Sequence, residues 1–143
     1  MCNVSVIVGV DAELDERSVS DTLRQTEDAI VSQWREVSAD EKRQMREQVD
    51  EILRPLGFRT RLLVIEHDNS LALFFLCMSF SAIMSLRDHW YTGQLGDIVQ
   101  SLFTLLSGTT PQVCVKRITW PLADYVRCLE FSRSEQSTGK QTI

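Results

Sequence analysis

A chain of 143 residues and 16.4 kDa has room for one domain of ordinary size. With 43% apolar and 24% charged residues it can build a packed core, which excludes disordered, collagen-like and disulfide-scaffold classes. A net charge of −5 and a pI near 5.0 argue against a nucleic-acid binder held by phosphate contacts.

The run Val4-Ser5-Val6-Ile7-Val8-Gly9-Val10 is β-branched and reads as a strand with valine at every even position. Asp11, Glu13, Asp15 and Glu16 then end the strand and suit the first turn of a helix. No basic region precedes the apolar start, so a secretory signal is not expected.

Helical spacing of Val19, Leu23, Ile30, Trp34 and Val37 predicts a first helix, and the capping box Ser38-Ala39-Asp40-Glu41 predicts the start of a second. The second carries Met45, Val49, Ile52 and Leu53 and stops before Pro55, with Gly57 opening the turn.

Phe58 to Glu66 reads as a second strand, with Phe58, Leu62 and Val64 on one side and Arg61, Leu63, Ile65 and His67 on the other. A polar turn, His67-Asp68-Asn69-Ser70, leads into Leu71–Met78, which is apolar on both faces and therefore suits a central strand. The short connection makes the pair an antiparallel hairpin. The charge-free stretch from Ser70 to Leu86 falls short of the ~20 residues a bilayer requires.

Ser79 or Ser81 caps a helix running to Thr92, with Gly93 as its left-handed terminator. Leu95, Ile98, Val99, Leu102, Phe103 and Leu106 mark the next helix, closed by Gly108 before Pro111. Val113–Ile118 is a fourth strand, and residues 121–131 form a short helix with Leu122, Tyr125, Val126 and Leu129. Residues 132–143 read as a disordered polar tail, leaving 1–131 as a single α+β domain.

This order is the ferredoxin-like β-α-β-β-α-β pattern with a doubled helical layer. Parallel crossovers of the first-to-third-strand type must be right-handed, which places all helices on one face of a four-stranded antiparallel sheet, forming an α/β sandwich. The helices are expected over Val4, Val6, Val8, Leu62, Val64, Val113 and Val115. The opposite face then carries Ser5, Ile7, Arg61, Leu63, Ile65, His67 and Lys116 as the candidate partner-binding set. Apolar side chains left in water there call for cover by a partner, a second copy or the helix at 121–131.

Catalytic signatures are sparse. There is no phosphate loop, G-x-G-x-x-G or G-x-S-x-G. Cys2, Cys77, Cys114 and Cys128 have no metal-ligand spacing, and Cys77 and Cys114 sit in apolar runs, where a free cysteine packs as a small hydrophobe. Asp88-His89 has no cysteine assigned to it by spacing, and His67-Asp68 is a weak ligand set, better read as turn chemistry. An RNA-recognition role needs stacked aromatics after a basic-glycine start, but Phe74 and Phe75 are adjacent, so only one can face outward. The expectation is a cytosolic, non-enzymatic protein-interaction module without cofactor, metal, membrane or nucleic acid. A ligand-sensing ferredoxin-like regulatory domain is the alternative.

The stretch Arg61-Leu-Leu-Val-Ile-Glu-His-Asp-Asn-Ser-Leu-Ala-Leu-Phe-Phe-Leu, followed by Ser85-Leu-Arg-Asp-His-Trp-Tyr-Thr-Gly-Gln-Leu, resembles the N-terminal domain of the TRADD adaptor family. The shared feature is a hairpin with a short polar turn, then a helix ending aromatic-x-x-Gly-x-Leu at Trp90–Leu95, an amphipathic helix, a strand and a terminal helix. It covers residues 3–131 in element order and is most specific over 61–106. The resemblance implies an α/β sandwich serving as a docking surface for TRAF-type adaptors, in death-receptor or innate-immune signalling. This chain departs from the family in its first strand, where Ser5, Ile7 and Gly9 stand in place of docking aromatics, and in having no death domain after residue 131. It therefore reads as a fragment or a stand-alone module.

Overall fold

The computed structural model describes residues 6–14, 20–39, 42–67, 70–107 and 114–130; for 20–23 only the backbone is considered. The elements are β1 (Val6–Leu14), α1 (Ser20–Ser38), α2 (Arg43–Leu53, extended by a 3-10 turn, Arg54–Leu56), β2 (Thr60–His67), β3 (Leu71–Cys77), α3 (Phe80–Thr92), α4 (Gln94–Ser107) and β4 (Val115–Thr119). A last helix, α5, covers 122–130. Among the described residues no helix is long and apolar enough to cross a membrane.

The four strands form one sheet in the order β2-β3-β1-β4, every neighbouring pair antiparallel. The crossovers join β1 to β2 and β3 to β4, each time skipping one strand, whereas β1 and β3 are antiparallel neighbours. One face is dry. Val6, Val8, Val10, Ala12 and Leu14 of β1 and Leu71, Leu73, Phe75 and Cys77 of β3 are all buried. On this side of the sheet α1 packs on β2, α3 on β2 and β3, and α4 on β4, while α2 lies farther out on α1 and α4. The mixed α+β architecture is the expected one.

The acidic residues after Val10 do not end β1. Asp11 and Glu13 alternate outward while Ala12 and Leu14 continue the buried row, and β4 pairs with this second half of the strand. The helix break at residue 39 is real, but Ser38 does not cap α2: its hydroxyl donates back to the Arg35 carbonyl at 3.1 Å, and Lys42 occupies the N-cap position without a side-chain capping bond, its ammonium reaching back to Gln33 and Glu36 of α1. Residues 40–41 of the proposed capping box lie outside the described residues, as do the tail 132–143, Val4, Ser5 and Val113. α3 is as expected: Ser79 Oγ accepts from the Ala82 N–H at 3.1 Å, and Gly93 ends the helix at φ +88°.

The strand-phase reading of β2 requires a correction. Pairing with β3 slips between Leu62 and Val64, so that Leu62 faces Phe75 and Val64 faces Phe74, with Leu63 left over as a bulge. The Trp34 indole N–H donates to the Leu63 carbonyl at 3.2 Å, giving the bulged residue a partner in α1. One extra residue reverses every later side chain. Ile65 is therefore core, at 2% exposure, and His67 turns to the helix side, while Val64 faces the open side at 40% exposure.

The terminal helix does not fold back over the open face. It lies along the edge of β1 that β4 leaves uncovered. The Gly9 N–H donates to Asp124 Oδ2 at 3.2 Å, and Arg127 Nη2 donates to the Ile7 carbonyl at 2.6 Å and to Asp124 Oδ1 at 2.7 Å. Trp120 meets Trp90 of α3 and Tyr125 of α5 edge to face, with Trp90–Trp120 centroids 5.7 Å apart, and Trp90 and Tyr125 lie tilted against each other.

Candidate docking face

The open side of the sheet is ordered in cross-strand rows. Arg61, Leu76 and Ile7 form the first, and Val64, Phe74 and Gly9 the second. Glu66, Ala72, Asp11 and Thr119 form the third, and Glu13 with Arg117 the fourth. The first two rows are apolar apart from Arg61 and the last two mostly charged, so the face is divided across its length.

Gly9 shapes the apolar half. A Cβ on Gly9 would come within 3.1 Å of Phe74 Cε1, so the Phe74 ring lies across the glycine and fills the gap its missing side chain leaves. Ile7 is 49% exposed beside it, and Val64, Phe74 and Leu76 complete a small apolar surface that no described helix covers. At the charged end Glu13 takes both Arg117 Nε at 3.2 Å and Lys116 Nζ at 3.7 Å. These are exposed pairs, so they fix side-chain direction more than they stabilise the fold.

Of the seven candidate residues, the structure brings three together on or beside this face. Ile7 and Arg61 share the first row. Lys116 is the extra residue of β4 where its pairing with β1 shifts between Glu13 and Leu14, and it is exposed. Leu63 is the half-buried bulge at the sheet edge, Ile65 is in the core, and Ser5 lies outside the described residues. His67 is drawn to α1, where its Nε2 lies 3.2 Å from Glu27 Oε1 and its Nδ1 2.9 Å from Asp28 Oδ1.

Val64, Phe74 and Leu76 were missed. Two sequence signals could have found them: the pair Phe74-Phe75, of which one must face out, and a glycine inside a strand, which often marks close approach by a neighbouring ring.

Thiol and imidazole groups elsewhere have structural surroundings. Burial pushes the Cys77 and Cys128 thiols up to about 11, so both stay protonated at neutral pH. His89 Nδ1 lies 2.7 Å from the Ser85 carbonyl one turn back, an arrangement that fixes that nitrogen as the N–H. Among the described residues no three His, Cys, Asp or Glu side chains are arranged to hold a metal ion. No protein-family model, curated protein or solved structure matches the chain.

Proposed function

We propose that the chain is a non-enzymatic protein-interaction module that binds a partner protein through the open sheet face, in the manner of a cytosolic signalling adaptor. The observation that carries this reading is the helix-free apolar surface of Ile7, Val64, Phe74 and Leu76, framed by Arg61 at one end and by Glu13 and Arg117 at the other. Full burial of a large apolar side chain is worth about 1.5–3 kcal/mol, and a docked partner recovers the part these half-exposed side chains still forgo. The resemblance to the TRADD N-terminal domain supports the same use of the sheet and makes a TRAF-type adaptor the first partner to try.

Ile7 and Val64 are exposed, so charged replacements there leave the core intact. The double variant Ile7→Asp, Val64→Asp, compared with wild type by calorimetric titration against a purified TRAF-type adaptor domain and by solution mass, is the test. Loss of binding or of self-association by about tenfold or more is expected, each 1.4 kcal/mol being one factor of ten. Unchanged binding and mass in a folded variant would overturn the assignment.

A further inference from the structure

A cleft of about 460 Å³ lies between α1, α2 and the start of β2 and shares only Arg61 with the rows of the docking face. That volume is within the range of sites that hold a ligand or a few residues of a chain. Trp34, Val49 and Leu62 line it and are buried, so its floor is apolar. Arg46, Arg54 and Arg61 stand around it.

The three guanidiniums are not equivalent. Arg46 Nε lies 3.4 Å from Asp50 Oδ1, and its Nη1 donates to the Val37 carbonyl at 3.4 Å. Arg54 Nη2 lies 3.1 Å from Glu51 Oε2. Arg61, exposed at the edge of the cleft, makes no ion pair among the described residues, so its charge there has no described carboxylate partner. On a chain of net charge −5 this is a local basic spot above an apolar floor.

The second feature is Phe58. It sits on the turn after Gly57 (φ +90°), lines the cleft, and is 86% exposed, the most exposed large apolar side chain described. Its only described ring contact is the Arg59 guanidinium, 5.6 Å from the centroid. An aromatic held out over an apolar cleft gains burial only when something occupies the cleft.

We infer that this cleft is a second docking site, taking a short acidic segment of a partner protein that places one bulky apolar side chain beside a carboxylate. The apolar side chain rests on Trp34 and Leu62 under Phe58, and the carboxylate meets the fork of Arg61, whose paired N–H groups match its geometry.

The test titrates the full ¹⁵N-labelled chain with acetyl-Asp-Phe-Asp-amide, with acetyl-Lys-Phe-Lys-amide and acetyl-Asp-Ala-Asp-amide as comparisons, and with decanoate as a small amphipathic anion. Saturable shifts at the amides of 57–62 and at the Trp34 indole N–H are expected with the first peptide and not with the other two. Arg61→Glu and Phe58→Ala each alter an exposed side chain, and each is expected to weaken the response about fivefold or more. Ile7→Asp, Val64→Asp is expected to leave it unchanged, which separates this site from the docking face. The inference is overturned by no saturation, by an equal response to the lysine peptide, or by a response that survives both single variants. It is also overturned if decanoate saturates the site and the acidic peptide does not.

Discussion

His67 holds a carboxylate at each ring nitrogen, Glu27 at Nε2 and Asp28 at Nδ1, and thereby ties the end of β2 to the middle of α1. Glu27 is buried, and loss of hydration raises its carboxyl above the ordinary 4.5 more than His67 lowers it. Below 4.5 the folded and unfolded chains both keep this proton; above it the unfolded chain releases it first, so the fold is relatively favoured at low pH and loses that advantage as pH rises through the raised value. Glu27→Gln removes the titration but keeps a hydrogen-bonding group next to His67. The urea midpoint of wild type relative to this variant is therefore expected to fall as pH climbs from below 4.5. A difference that stays flat, or rises, would contradict it.

Helix α4 shows how far a single element can be read from its pattern. Leu95, Val99, Leu102, Phe103 and Leu106 are all buried, as helical spacing requires, and α4 touches α1, α2, α3 and β4. Phe103 has no exposed surface, and Phe103→Ala is expected to cost roughly 3–5 kcal/mol, measured as the shift in urea midpoint. An unchanged midpoint would mean that the helix rests on another face. Strand β2 shows the opposite case. Leu62 lies where alternation puts it, but the bulge at Leu63 moves Ile65 and His67 inward and Val64 outward. Nothing within residues 60–67 signals the extra residue, because it is set by the register of β3 and by the Trp34 hydrogen bond from a separate helix. Periodicity is local, and a bulge is decided between elements. For the same reason Asp11 and Glu13 read as a strand end: their outward direction makes sense only once Arg117 stands opposite Glu13.

At the scale of the molecule, the number and order of strands were legible in apolar runs and turn residues, and the covered face was legible in Val6, Val8 and Leu62 but not in β2 beyond its bulge. The candidate docking face was legible in part. Ile7 and Arg61 follow from simple alternation, but the way the Phe74 ring lies over Gly9 depends on a cross-strand pairing between residues far apart in sequence. The position of α5 was not legible, because it rests on two polar side chains, Asp124 and Arg127, whose partners are backbone groups of β1 more than a hundred residues earlier.

Those two side chains set a donor and an acceptor against Ile7 and Gly9 where a residue of a parallel strand, lying opposite Val8, would set its own amide and carbonyl. An uncovered strand edge is a template on which other chains polymerise, and sheet proteins guard such edges with charge or with a covering element. Here both devices coincide. Asp124→Ala removes the acceptor and leaves Arg127 without its carboxylate, baring β1 at its most valine-rich part. The variant is expected to form thioflavin-positive fibres or higher-order aggregates at protein concentrations where wild type remains clear, and light scattering with time would record it. Equal clarity of the two would show that the rest of α5 is guard enough. The last described helix thus stands where a further strand would otherwise add to the first.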